Sequence, residues 1–162
     1  MAIRHFPFQF VLREPPAALA HVVEQLWYAR GTVPYERERI APTGSAVAVF
    51  VLGDPIVQIP DDGTGEELVA ERGFLLGPHD RPTVNAPTGE THALGIVTTT
   101  VGCAAVFGVA PATLRGRVVD LEASWEAGRG IRASLRDLDD PEAMLDRVSE
   151  GVQGQLRPAP IT

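Results

Sequence analysis

The sequence contains a single cysteine and no lysine among its 162 residues. One cysteine excludes an internal disulfide, and Cys103 lies in an apolar segment without a basic neighbour, so we expect its thiol to pack as a small hydrophobic group. The 14 basic residues are all arginines, scattered without a basic run. With a net charge of −7, the chain itself is not expected to bind DNA, which is a polyanion.

Long hydrophobic runs are also missing. No apolar stretch reaches the roughly 20 residues that cross a bilayer, and the first residues lack the hydrophobic region of a secretion signal. We therefore expect a cytoplasmic protein with no membrane partner. A hydrophobic content of 44% with 22% charged residues is ordinary for one soluble core. We assign residues 1–157 to a single domain and residues 158–162, a proline-spaced tail, to the start of a linker.

The sequence does contain a series of short apolar segments separated by turns rich in glycine and proline. The run over residues 45–52 is continuously apolar after Ser45, as in a strand buried on both faces. A helical turn over residues 17–20 is predicted to lead into a strand over residues 22–30. Further strands are predicted over residues 56–59, 67–70, 73–76, 83–86 and 92–99. Six or more short strands with close turns indicate a sandwich or barrel.

The pattern changes to helix after Thr100. Residues 101–107 are compact and apolar, Pro111 opens another turn, and apolar residues then recur at three- and four-residue spacing. Asp140-Pro141-Glu142 is typical of a helix start, with a capping carboxylate followed by proline in the first turn. The last helix carries one apolar stripe, formed by Met144, Leu145, Val148 and Val152. The sequence thus predicts a mainly β fold with α, in which a β-barrel is followed by a C-terminal helical layer.

Several motifs occur in an order that resembles the N-terminal domain of AraC-type transcriptional regulators, over roughly residues 15–156. They are Leu19 through Trp27 with Gly31, Pro42-Thr43-Gly44 leading into residues 47–55, Gly77-Pro78, Leu94-Gly95-Ile96, Gly102, and Leu114 through Leu121. The resemblance implies a cupin-like β-barrel or jelly roll that binds a small-molecule effector, mediates dimerisation, or does both. In such relatives DNA is bound only by a C-terminal helix-turn-helix domain, which this chain does not contain. Residues 97–100 depart from the pattern, since relatives carry an aromatic residue and a proline there.

Two other functions remain open. The first is a small cupin-type metal enzyme, because residues 87–92 are similar to the second cupin motif, in which a turn presents one histidine. Metal catalysis needs several converging ligands, however, and the sequence has four histidines and no His-x-His pair. We therefore expect no metal, no cofactor, no catalytic residue and no enzymatic activity. The second is a free-standing dimerisation module without a ligand.

A ligand inside such a barrel would contact inward-facing side chains, with aromatic rings as walls and a few polar groups that fix its orientation. The predicted apolar walls are Trp27, Phe50 and Phe74, and the predicted polar anchors are Arg39, His79 and His92. Core packing is the competing interpretation for each of them. The stripe on the last helix either packs on the barrel or forms a homodimer contact through its outer part.

Overall fold

Ten strands and five helices are present in the computed structural model, which describes residues 8–41, 44–60 and 66–156. The linker predicted over residues 158–162 and two residues of the quoted motifs, Pro42 and Thr43, lie outside these ranges. The strands are β1 (Gln9–Arg13), β2 (Val23–Gly31), β3 (Glu38–Ile40), β4 (Val47–Val51), β5 (Ile56–Pro60), β6 (Leu68–Ala70), β7 (Gly73–Leu76), β8 (Thr83–Pro87), β9 (Thr91–Thr98) and β10 (Val118–Asp120). The helical turn before β2 is a 3-10 turn over Ala17–Leu19.

The strands form two antiparallel sheets. The larger has six strands in the order β1-β2-β9-β4-β7-β10, and the smaller has four in the order β3-β8-β5-β6. Strands distant in the chain are neighbours in both sheets, and side chains of both line one internal space, so the sheets close into a barrel. The predicted fold class, mainly β with a cupin-like barrel followed by helices, is confirmed.

The larger sheet is covered on both faces. Along β9, Leu94 and Ile96 belong to the core shared with the helices, whereas Ala93 and Val97 face the smaller sheet. Successive side chains of a strand point to opposite faces, so each central strand supplies both layers. This sheet therefore separates two apolar compartments.

The first compartment lies between the sheet and the helical layer. The helices are α1 (Gly102–Phe107), α2 (Pro111–Leu114), α3 (Leu121–Ser124), α4 (Glu126–Leu135) and α5 (Pro141–Gln155). The start of α5 confirms the predicted cap, because the Asp140 carboxylate accepts a hydrogen bond from the Ala143 amide at 2.9 Å. None of these helices in the described part of the chain is long and apolar enough to span a bilayer.

The stripe on α5 is the inner face of this helix. Met144, Leu145, Val148 and Val152 are each 0% exposed and pack in the core between helices and sheet. A side chain buried completely within its own chain offers no surface to a partner. The predicted homodimer contact therefore does not lie on this stripe. The stripe instead packs on the barrel, which was the alternative interpretation of the sequence.

Replacing Val148 with Asp should destabilise the fold strongly, because the carboxylate would be buried among apolar side chains without a partner. We expect a loss of more than about 3 kcal/mol in the free energy of unfolding, measured by urea denaturation. Gln153→Asp, at an exposed position of the same helix, is the control and should change stability by less than about 0.5 kcal/mol. A Val148→Asp protein as stable as the wild type would contradict this packing.

Candidate functional site

The second compartment is a cavity of about 430 Å³ between the two sheets. The larger sheet lines it with Phe10, Leu12, Gln25, Trp27, Ala29, Val47, Val49, Phe74, Leu76, Thr91, Ala93 and Val97. Phe8, the β2–β3 connection and the smaller sheet complete the lining with Val33, Tyr35, Glu38, Ile40, Ile56 and Asn85. Mostly apolar walls with a few polar groups are typical of small-molecule sites.

Aromatic rings form one wall and the mouth of this cavity. Phe8 stacks on Phe10 with ring centroids 6.4 Å apart, and Phe10 stacks on Trp27 at 6.2 Å. Phe8 and Phe10 are 38% and 52% exposed although they line the cavity. Lining residues that solvent also reaches mark the opening, which therefore lies at the edge strand β1.

The Trp27 indole lies directly against the backbone of the neighbouring strand. Its partner in the ladder is Gly95 of β9, and a Cβ atom added there would lie 2.0 Å from Cε2 and 2.2 Å from Nε1 of the indole. Only a glycine leaves room for a rigid ring at this distance. Gly95 therefore allows the Trp27 ring to pack directly against strand β9 in the wall of the cavity.

A row of polar side chains crosses the inner face of the smaller sheet. Glu38, Asn85 and Gln58 occupy directly opposed positions on β3, β8 and β5, and the Gln58 amide donates a hydrogen bond to the Asn85 side-chain oxygen. At one end of the row, the Tyr35 hydroxyl donates to Glu38 Oε2 at 2.8 Å. Burial, reinforced by the Glu38 carboxylate, raises the pKa of Tyr35 to about 12, so the phenol keeps its proton at neutral pH.

Two buried side-chain oxygens, one on each sheet, lack hydrogen-bond partners among the described residues. They are Thr91 Oγ1, whose side chain lines the cavity, and Gln58 Oε1. A buried polar atom without a partner is costly, and such atoms are satisfied in most proteins. A bound molecule could supply the missing partner at Thr91.

Of the six predicted ligand-binding residues, the structure brings Trp27 and Phe74 together in the cavity. Arg39 is exposed, because its neighbours Glu38 and Ile40 take the inward positions of β3. Phe50 is fully buried on the helical side, where its ring contacts Trp125 with centroids 6.1 Å apart. Neither Arg39 nor Phe50 lines the cavity.

The two predicted histidine anchors also lie elsewhere. His92 faces the helical side, edge-on to Tyr28 at 5.6 Å, and burial together with the charge of Arg30 lowers its pKa. His79 lies in a separate pocket of about 250 Å³, where its Nδ1 is 2.9 Å from the Gly77 carbonyl oxygen. In the described part of the chain, no three His, Cys, Asp or Glu side chains come close enough to hold a metal ion.

Sequence reasoning missed Tyr35, Glu38, Asn85 and Thr91, which the structure places in the cavity. The segment from Tyr35 to Ile40 contains four charged residues and does not stand out as a strand. Its one signal is that Glu38 and Ile40 are two residues apart, the spacing of side chains that share one face of a strand.

Two antiparallel sheets closed around a cavity, with C-terminal helices behind the larger one, define a cupin-like barrel domain. The chain belongs to the family described as Domain of unknown function (DUF6597), whose model matches residues 13–120. This span runs from the end of β1 to the end of β10 and contains most of the cavity lining. No curated protein matches the chain.

Solved structures with a similar chain path include several proteins of low identity. A RmlC-like cupin protein from Desulfovibrio desulfuricans is 15% identical, with a TM-score of 0.42 over 60% of this chain and 89% of that one. FeII HppE is 10% identical, with a TM-score of 0.43 over 60% of each chain. Vicilin from the hazelnut Corylus avellana is 12% identical, with a TM-score of 0.42 over 85% of this chain and 47% of that one.

Replacing Gly95 with Ala should displace the Trp27 ring, since the new methyl group would overlap it. We expect a loss of about 1–3 kcal/mol in the free energy of unfolding and a shift in tryptophan emission, measured on the same urea titration. The control is Gly154→Ala, where a Cβ meets nothing within 4 Å and helix propensity favours alanine. Unchanged stability and emission for Gly95→Ala would show that the indole does not lie on this strand.

Proposed function

We propose that this domain binds a small molecule in the cavity between its sheets and performs no chemistry on it. The observation that carries the proposal is the cavity itself, since about 430 Å³ is within the range of roughly 300–1,000 Å³ that holds drug-sized ligands. Five aromatic residues line it, and the unpartnered Thr91 oxygen supplies a polar contact. Among the described residues of the lining, Glu38 is the one with a carboxylate, and none is a histidine, cysteine or arginine.

The proposal extends to the role of the domain: it is the effector-binding part of a transcriptional regulator of AraC type. The order of motifs that resembles this class supports it, and two of the glycines in these motifs, Gly77 and Gly102, lie at close approaches in the fold. A Cβ at Gly102 would be 1.9 Å from the Val22 carbonyl oxygen, and one at Gly77 would be 1.8 Å from the Leu114 carbonyl oxygen. These glycines join the helical segments closely to the barrel.

Signal transfer in this proposal uses the shared sheet. A ligand contacts one face of β2, β4, β7 and β9, and the helical layer packs on the other face of the same strands. If two arrangements of the helices differ in the shape of the cavity, a ligand shifts the balance by its difference in affinity for the two. In this proposal a separate domain binds DNA and responds to this balance, since the net charge of −7 opposes direct DNA contact by the domain described here.

A ligand that fills the cavity should raise the melting temperature, because it binds only the folded state. We expect a thermal-shift screen with apolar metabolites to give hits that Ala93→Leu abolishes, since Ala93 lines the cavity and a larger side chain occupies its volume. Ala105→Leu makes the same change at an exposed position on α1 and should keep the response. Hits that survive Ala93→Leu unchanged would place the ligand elsewhere and contradict the proposal.

We also propose that the domain forms a homodimer, and a fusion protein can test this. The chain joined to a helix-turn-helix domain that represses a reporter only as a dimer should restore repression, and an effector should change its extent. The control fusion carries Val148→Asp, which removes the folded domain. Reporter activity equal to that of the unfused helix-turn-helix domain would contradict a dimerising role.

A further inference from the structure

Going beyond a generic ligand, and resting on the proposed binding function, we infer that the cavity takes a lipophilic cation: an aromatic or otherwise apolar body with a positive charge that is held at Glu38. Three features of the lining favour such a ligand: its one carboxylate, the aromatic side chains that share the cavity, and the hydrogen-bond acceptors of Tyr35 and Glu38.

The lining carries one formal charge, and it is negative. Glu38 is the single carboxylate of the described lining, and Tyr35 keeps its proton at neutral pH. The ion pairs formed within the described residues do not include Glu38. Glu38 lines the cavity although its side chain is also exposed to solvent, whereas its chain neighbours Arg37 and Arg39 are exposed and do not line the cavity. A carboxylate beside an apolar space and without an internal counter-ion favours a cationic guest and repels an anionic one.

Aromatic side chains line the same cavity as this carboxylate. Tyr35 binds Glu38 directly, and Trp27, Phe10 and Phe74 line the same space. Aromatic faces attract cations through the ring quadrupole, with an energy of about 0.5–2 kcal/mol that increases when the site excludes water. A cation that also carries apolar substituents would fill the volume and bury the rings that solvent now reaches at Phe8 and Phe10.

The hydrogen-bonding groups of the lining favour a ligand that donates or carries positive charge. Tyr35 directs its one proton to Glu38, so its oxygen offers only lone pairs to a ligand. Glu38 accepts only, whereas the Thr91 hydroxyl, which has no partner among the described residues, can either donate or accept. A ligand with a carboxylate or phosphate beside Tyr35 and Glu38 would place its acceptors against their oxygens and against the Glu38 charge.

The test compares two ions of the same shape and opposite charge, tetraphenylphosphonium and tetraphenylborate. The full chain carries Trp125→Phe, so that Trp27 is its one tryptophan and reports on the cavity by fluorescence. We expect saturable quenching by tetraphenylphosphonium and at least about tenfold weaker binding of tetraphenylborate. Glu38→Gln should weaken tetraphenylphosphonium about tenfold and should not weaken tetraphenylborate.

The control variant is Glu150→Gln, which removes the same charge from an exposed position on α5 and should leave both affinities unchanged. Equal or tighter binding of tetraphenylborate, or a Glu38→Gln protein that binds tetraphenylphosphonium as tightly as its parent, would overturn the inference while leaving a ligand-binding cavity intact. Binding of neither ion would overturn it as well. The proposed function would then be decided separately by the thermal-shift hits and their loss in Ala93→Leu.

Discussion

The six-stranded sheet has to bury both of its faces, and the rest of the structure follows from how it does so. Helices cover one face of β2, β4, β7 and β9 and bury the side chains between them and the sheet. Phe50, Leu94 and Met144 are each 0% exposed there. The other face meets a second sheet that is shorter and partly polar, and the contact is incomplete. Side chains that alternate along one strand thus serve two purposes: stability on the helical side and a ligand cavity on the other.

The same two-faced sheet explains which parts of the molecule the sequence could predict. Turn residues and apolar runs placed seven strands within a few residues of their observed bounds, and Asp140-Pro141-Glu142 marked the start of α5. The face of each side chain was not predictable, because a continuously apolar strand such as β4 shows no polar alternation. Phe50 was assigned to the cavity for this reason and His92 because it lies near a strand end, although Val49 and Thr91, one residue away, are the ones that line it. The short edge strands β1, β3 and β10 were missed, whereas β6, as short as β3 and β10, was predicted because turn residues bound it on both sides.

Coupling between the two compartments has a physical basis in hydrogen bonds that connect the helical layer to the shared sheet and to itself. The guanidinium of Arg132 on α4 is buried and donates from Nε to the Val51 carbonyl oxygen of β4 at 3.0 Å. On the same helical side, Gln155 at the end of α5 accepts from the Trp125 indole and donates to the Val106 carbonyl oxygen at 2.6 Å. Movement of the central strands by a ligand would therefore reach α4 through the hydrogen bond between Arg132 and Val51.

The central claim is that an accessible apolar space lies between the sheets, whereas the described helices pack closely against the larger sheet. Its most direct test is fluorine NMR of the chain labelled with 5-fluorotryptophan, since one tryptophan reports on each compartment: Trp27 lines the cavity, and Trp125 packs against Phe107 in the helical layer. Xenon gas enters apolar cavities without needing a polar contact. Under xenon pressure the Trp27 resonance should shift progressively while the Trp125 resonance stays in place. A shift of Trp125 alone, or no shift of either resonance, would contradict the account.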